Sequence, residues 1–500
     1  MSSPSASTGP PGGHPRAIQG GMGVAVSSWR LASAVARAGQ LGVVSGTALD
    51  LVLARRLQDG DVDGSCRRAM AAFPVPEVAD RVLERYFTAG GRAAGRPYLP
   101  QPRLALRQTR AMQELIVLGS FVEVWLARER HTGRVGINLL EKVQMATPAA
   151  VYGAMVAGVD VVLMGAGVPR EIPRMLDRLA AQEPVRLPVH VTGAAVGEHG
   201  VDLDPVGLLG PLTVRRPDLL AIVSADVLAA YLARDEAIRP DGLVVEGPSA
   251  GGHNAPPRGR PVLDDLGQPV FGPRDAADVA KVAALGLPFW LAGSFGTPEA
   301  LQAAQAAGAC GVQVGSLFAL SSDSGLAPSL RESLLAELRA GTLEVRTDPR
   351  ASPTGFPFKV AQLAGTLSDE RLSADRPRLC DLGYLRTPYV RPGGGVGYHC
   401  PSEPLLTHAR KGGSVAEAAG RACLCNALAA NVGLGQTRPD GYVEQPLVTL
   451  GTDLEGPLRL VRTYPGGWSA AEAVRWLLAG DAVPAPEGQR ALGMNTHRTT

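Results

Sequence analysis

The chain has 500 residues, 45% hydrophobic and 19% charged, a globular balance that fits one large domain with a smaller appendage and excludes a disordered chain. Its 49 Lys and Arg against 47 Asp and Glu leave a net charge of +2, so no net field draws it to nucleic acid or to an acidic membrane. Aromatic residues make up 5%, too few for a base-stacking platform, whereas the 61 glycines gather where apolar runs end, as in loops whose backbone approaches a ligand.

Residues 1–15, rich in Ser, Pro and Gly, are expected to form a disordered tail; with no apolar run they do not make a signal peptide. The longest apolar stretch, around Val159 to Val168, contains two glycines and falls short of the ~20 residues that span a bilayer. A cytoplasmic protein without membrane contact is therefore expected. From residue 16 to 341, short runs rich in Val, Ile and Leu alternate with amphipathic segments. The runs lie at 17–18, 41–44, 134–140, 159–164, 188–191, 219–223, 242–245, 288–291 and 311–314, and they do not alternate cleanly, as in a parallel sheet buried on both faces. Ser27 and Ser28 cap a helix running to Ala38, with Gly39 behind it; Thr147-Pro148 and Thr297-Pro298 open two more.

This rhythm implies an α/β fold, either a doubly wound sheet or a (β/α)8 TIM barrel. Nine runs are one too many for the barrel, so either Pro188–Val191 or Leu219–Val223 is expected to lie outside it. Residues 61–130 interrupt the rhythm as an Arg-rich helical insertion able to cover one mouth; its positive charges are interleaved with Glu and Asp, which argues against a nucleic-acid partner. The rhythm ends after 341. Residues 342–486 read as a loop-rich, helical C-terminal module with four of the six cysteines, and 487–500 as a loose tail.

Two Gly-Ser turns, Gly293-Ser294 and Gly315-Ser316, end consecutive runs. In a barrel, the loops after the seventh and eighth strands commonly hold a phosphate through backbone N–H groups and hydroxyls. No Gly-x-Gly-x-x-Gly follows the first run and no Walker sequence occurs, which disfavours Rossmann and P-loop sites. Ile18-Gln19-Gly20-Gly21-Met22-Gly23 is a glycine turn, or a backbone shaped to lie against a flat ring. Another run ends in Glu246, a glycine-rich turn and His253, followed by Pro256-Pro257, which bar an immediate helix. At the carboxyl end of a barrel strand, a histidine with an ordinary pKa near 6.5 exchanges protons around neutrality. Cys380, Cys400, Cys423 and Cys425 are buried thiols or the ligands of a structural zinc or iron–sulfur cluster. Cys66 and Cys310 read as isolated buried residues.

Taken in order, these loops resemble the nitronate monooxygenase (2-nitropropane dioxygenase-like) family of FMN-dependent (β/α)8 barrels, over roughly residues 15–340. Gly20-Gly21-Met22-Gly23 looks like the family's first-strand loop, Gly136-Ile137-Asn138-Leu139 like its third-strand motif, and Asp160 to Pro169 like its fourth-strand loop. Ala250-Gly251-Gly252-His253 matches the signature loop, and the two Gly-Ser turns match phosphate loops that more often read Gly-Gly and Gly-Thr. Glu246 stands where many members have Gln, and Ser249 where they have Glu. The resemblance implies FMN held by Gly21, Met22, Gly23, Asn138, Glu246, Gly251, Gly252, Gly293, Ser294, Gly315 and Ser316, with His253 as the catalytic base. It further implies a small-molecule substrate, a nitronate or nitroalkane, oxidised by O2 to a carbonyl compound and nitrite. Longer relatives carry insertions and extensions and include trans-acting enoyl reductases of polyketide and polyunsaturated fatty acid synthases. They imply two alternatives: an NAD(P)H-dependent enoyl-thioester reductase served by an acyl carrier protein, or a flavin-binding partner subunit without turnover.

Overall fold

The computed structural model describes residues 13–479. Ten strands occur in its first two thirds: β1 (Ala17–Gln19), β2 (Gly42–Ser45), β3 (Val135–Leu140), β4 (Val161–Gly165), β5 (Val185–Pro188), β6 (Gly200–Leu203), β7 (Asp218–Val223), β8 (Gly242–Glu246), β9 (Phe289–Ala292) and β10 (Gly311–Val314). Eight of them form one parallel sheet in the order β1-β10-β9-β8-β7-β4-β3-β2. The ends meet: the Gln19 N–H donates to the Leu41 carbonyl at 3.0 Å and the Leu41 N–H to the Ala17 carbonyl at 3.2 Å, which closes the (β/α)8 barrel. Ile18, Val43, Leu163, Leu220, Val244 and Trp290 fill its interior, while neighbouring strand residues face the helices. Burial on both faces is why these runs lack alternation.

The run at 188–191 lies outside the barrel but is not itself a strand: Pro188 ends β5, which pairs antiparallel with β6, and residues 189–191 follow it in no strand, while Leu219–Val223 lies in β7, a barrel strand. Burial alternates along β5, with Arg186 outward, as a one-faced strand requires. Two of the three expected caps form; Thr147 instead lies inside its helix, capped by Ala146 without a side-chain bond. Ser28 accepts from the Leu31 N–H, Gly39 takes φ +77°, and Thr297 accepts from the Ala300 N–H of the helix Pro298–Ala306.

The insertion 61–130 differs from its expected role. Its last helix, Arg110–Arg128, packs against the helices Trp29–Arg37, Leu49–Gln58 and Thr147–Val156, inside the outer ring. The helix is apolar nearly all round, so burial on every face suits it better than a lid over a mouth. Its two acids are buried as ion pairs, Glu114 with Arg81 and Arg110, and Glu123 with Arg56. Of the expected tails, 487–500 and residues 1–12 lie outside the described residues. His14 and Pro15 correct the rest of the N-terminal expectation: the Trp290 indole N–H donates to the Pro15 carbonyl at 2.7 Å, and the His14 ring meets Trp290 edge-on at 5.6 Å.

The C-terminal residues form two antiparallel hairpins, β11 (Glu344–Asp348) with β12 (Phe358–Gln362) and β13 (Thr387–Val390) with β14 (Val396–His399), and several helices. Trp468, Val474 and Leu477 share a core with residues of β9 and β10. Among the described residues no helix is long and apolar enough to cross a membrane.

Lys359 on β12 is buried. Its ammonium donates to Thr347 Oγ1 and lies 5.5 Å from the Phe271 ring centre, and no ion pair to it occurs among the described residues. Burial pushes its pKa from 10.5 down to about 8. Between those values the unfolded chain binds the extra proton, so raising the pH through this window stabilises the fold. Lys359→Met is expected to raise Tm at pH 7 by roughly 2–4 °C and to abolish that alkaline gain, as melting curves at two pH values would show.

Candidate functional site

All the residues expected at the site, Gly21, Met22, Gly23, Asn138, Glu246, Gly251, Gly252, His253, Gly293, Ser294, Gly315 and Ser316, line one cavity at the carboxyl ends of the barrel strands. It encloses about 1440 Å³, counting its open mouth. The turn after β1 is pinned by a buried network: Gln19 Nε2 donates to Ser27 Oγ at 2.8 Å, and Ser27 Oγ accepts from the Met22 N–H at 3.0 Å and donates to the Gly20 carbonyl at 2.9 Å. A Cβ at Gly21 would fall 2.3 Å from that of Asn138, so only glycine fits. Beside this turn, Asn138 Nδ2 and Gln313 Oε1 are buried without a hydrogen-bond partner. Both residues line the cavity, offering one donor and one acceptor to a ligand.

The two Gly-Ser turns follow β9 and β10, and the second lies beside the β1 turn, where the Gly20 N–H donates to the Val314 carbonyl at 2.9 Å. Gly293 has φ +82°, and a Cβ there would lie 3.0 Å from Ser249 Oγ and 3.1 Å from the Gly247 carbonyl. Ser294 takes φ +59°, a left-handed conformation that favours glycine; its hydroxyl donates to Ser249 Oγ at 2.8 Å and helps hold it there. Ser316 Oγ accepts from the Gly451 N–H at 2.8 Å, which leaves its own proton to donate. This donor set, with glycine backbone at two successive strand ends, fits the phosphate of FMN. The orphaned amide groups of Asn138 and Gln313 fit the polar edge of its ring.

One wall comes from distant sequence. Thr449 Oγ1 accepts from the Gly252 N–H at 2.8 Å, the Thr452 N–H donates to the Ser249 carbonyl at 3.0 Å, and Leu450 lies against Gly251. Nothing local in Thr449–Asp453 sets it apart as lining, and Gln313 and Phe358 were equally silent.

The His253 Nε2 lies 2.7 Å from Ser352 Oγ, and its ring meets Phe358 edge-on at 4.9 Å. Burial, with the Lys142 ammonium nearby, pushes its pKa from 6.5 down to about 4. Burial therefore favours the neutral imidazole. Glu246 moves the other way: burial pushes its carboxyl from 4.5 up to about 7.

The cysteines gather without forming a metal centre. Cys380, Cys400, Cys423 and Cys425 line a separate cavity of about 280 Å³ with Leu382, Leu385 and Leu424. Among the described residues no group of three or more His, Cys, Asp or Glu is disposed to hold a metal ion, which corrects the zinc or iron–sulfur reading. Contact with the Cys400 thiol and then burial push the Cys380 pKa up, and burial raises those of Cys423 and Cys425. Cys66 is buried and Cys310 half-buried, each without a disulfide partner.

Residues 214–350, a little over a quarter of the chain, match the family model described as nitronate monooxygenase. That span runs from before β7 to just beyond β11 and includes the Glu246–His253 loop and both Gly-Ser turns. Among curated proteins none matches the sequence significantly. Solved structures similar in fold include FabK from Thermotoga maritima (17% identity, 93% of this chain and 91% of that one, TM-score 0.46). Nitroalkane oxidase from Streptomyces ansochromogenes is another (16%, 93% and 94%, TM-score 0.43). A third is the enoyl reductase domain of MlnA from the macrolactin biosynthesis cluster of Bacillus amyloliquefaciens (11%, 93% and 93%, TM-score 0.44). The family whose model matches is the one the loops resemble.

Proposed function

We propose that this FMN-dependent oxidoreductase of the nitronate monooxygenase type oxidises a nitronate, the anion of a nitroalkane, to a carbonyl compound and nitrite with O2 as the acceptor. The observation that carries the reading is the neutral His253 on the cavity wall, hydrogen-bonded to Ser352. A general base works best with a pKa near the operating pH, and one near 4 strips carbon protons poorly at neutrality. As a neutral imidazole, His253 instead orients an anion that is already formed, so positioning replaces the base role implied by the resemblance. Gly293, Ser294, Gly315 and Ser316 hold the FMN phosphate; Gly21, Met22, Gly23, Asn138, Gly251 and Gly252 hold the ring. Bound there, FMN supplies the redox chemistry, taking electron equivalents from the substrate and passing them to O2. Thr449, Leu450 and Gly451 complete the cavity wall against the loop that carries His253.

Anaerobic bleaching of the flavin-loaded protein tests this, with a nitronate and NADPH added separately. Bleaching by nitronate alone supports the reading; bleaching by NADPH alone replaces it with an enoyl-thioester reductase, and an acyl carrier protein becomes the partner to seek. A protein purified without flavin overturns both. His253→Asn is expected to keep its flavin, lose about 10- to 100-fold in kcat/KM, and show a pH profile of unchanged shape from pH 5 to 8. Wild-type kcat/KM in that variant would mean that His253 does not touch the substrate.

A further inference from the structure

We propose that Glu246 binds the anionic substrate as a neutral carboxylic acid, donating its proton in a hydrogen bond to a nitro oxygen of the nitronate. This deepens the nitronate reading and rests on it. Glu246 is the last residue of β8, in register with Ala292 of β9, and both line the cavity with Gly293. Its carboxyl makes no hydrogen bond or ion pair among the described residues. Other enclosed acids near the barrel have partners: Asp50 accepts from the Tyr384 hydroxyl at 2.7 Å, and Glu141 from Gln144 Nε2.

The charged groups around Glu246 are few, and each is engaged elsewhere. On the cavity side stand His253, which is neutral, and Asp453, which accepts from the Glu455 N–H at 3.0 Å. Lys142 faces His253 and lies 4.0 Å from the Phe356 ring centre. Behind Glu246, a smaller cavity of about 330 Å³ is shared with Arg258, Asp275 and Phe271. There the Arg258 guanidinium donates to the Ser224 carbonyl at 3.5 Å, and Asp275 accepts from the Arg258 N–H at 2.7 Å and the Gly272 N–H at 2.7 Å. Lys359, over Phe271, donates to Thr347.

No cation is placed to hold Glu246 ionised, and burial alone raises its pKa to about 7. An ionised carboxylate in the same cavity would repel a nitronate, whereas the protonated acid can donate to it. An enclosed site keeps a carboxylic acid neutral so that it can donate, a known device for binding developing anions. Anion binding then takes up one proton above about pH 7.

The test uses the flavin-loaded protein and isobutyrate, a carboxylate with the heavy-atom connectivity of propane-2-nitronate but no nitrogen for the enzyme to oxidise. Binding is read from the change in the flavin visible spectrum, and proton uptake from a pH indicator in weakly buffered solution. In the wild type, Kd is expected to rise about tenfold per pH unit above about 7, with about one proton taken up per site. Glu246→Gln, which stays a neutral donor, is expected to bind isobutyrate with a flat Kd and no uptake. A flat Kd without uptake in the wild type overturns the proposal, as does an unchanged slope and uptake in the variant. If the variant loses its flavin, uptake by the wild type alone decides. Turnover of propane-2-nitronate in air separates the layers: turnover without proton uptake removes the role of Glu246 and leaves the nitronate reading, whereas no turnover and no anaerobic bleaching removes both.

Discussion

A Gly293→Val protein is expected to fold but to purify with less than about a tenth of the wild-type flavin. Two effects add. At φ +82° a β-branched residue is strained by roughly 1–2 kcal/mol. Its Cβ would also sit 3.0 Å from Ser249 Oγ, 3.1 Å from the Gly247 carbonyl and 3.2 Å from the Ala250 N–H, so the β8 loop must shift or the side chain must fill the anion space. Gly315→Val separates the two. Its φ is −108°, and its Cβ would meet Met22 Sδ at an ordinary 3.5 Å, so the backbone tolerates the change while the cavity is filled. Both variants should lose flavin, but only Gly293→Val should lower the Tm of the flavin-free protein. Flavin content by absorbance and melting of the stripped proteins check this; full flavin in both would move the phosphate away from these turns.

The barrel was legible because a doubly buried parallel strand has a recognisable texture, and because proline at a helix start and serine or threonine caps are local signals. The cavity was legible for a related reason: six of the eight barrel strands end in or run straight into glycine, where backbone must approach something, and Gly21 against Asn138 shows how closely. The rest depended on tertiary contacts. Whether Pro188–Val191 or Leu219–Val223 joined the barrel turned on what packed against each face. The helix Arg110–Arg128 read as part of an insertion because four helices follow β2 before β3, and its place in the ring is set by its neighbours. The pKa of His253 depends on enclosure by Phe358 and on Lys142, residues 105 and 111 positions away from it in opposite directions along the chain. For the four cysteines composition left two readings open, buried thiols or metal ligands, and only their placement, with no metal-holding group among the described residues, favours the first.

Trp468→Ala is expected to cost about 3–5 kcal/mol, the range for emptying a buried tryptophan site, and to lower one melting transition for the barrel and C-terminal residues together. Trp468 is buried, and its indole N–H donates to the Leu317 carbonyl at 2.8 Å, one residue beyond Ser316. The adjoining backbone is tied to the same stretch: the Ser322 N–H donates to the Trp468 carbonyl at 2.8 Å, and the Ala470 N–H to Asp323 Oδ2 at 2.7 Å. Losing this anchor loosens the turn after β10, so flavin should dissociate faster as well as the fold melting earlier. Trp468→Phe, which keeps most of the volume and loses the N–H, should recover most of the Tm and less of the flavin retention. An independent C-terminal domain would behave otherwise, splitting the melt in two with the barrel transition and flavin affinity unchanged. A single lowered transition with faster flavin release instead makes the C-terminal residues a working wall of the barrel site, which is what the Gly451 N–H on Ser316 already requires of them.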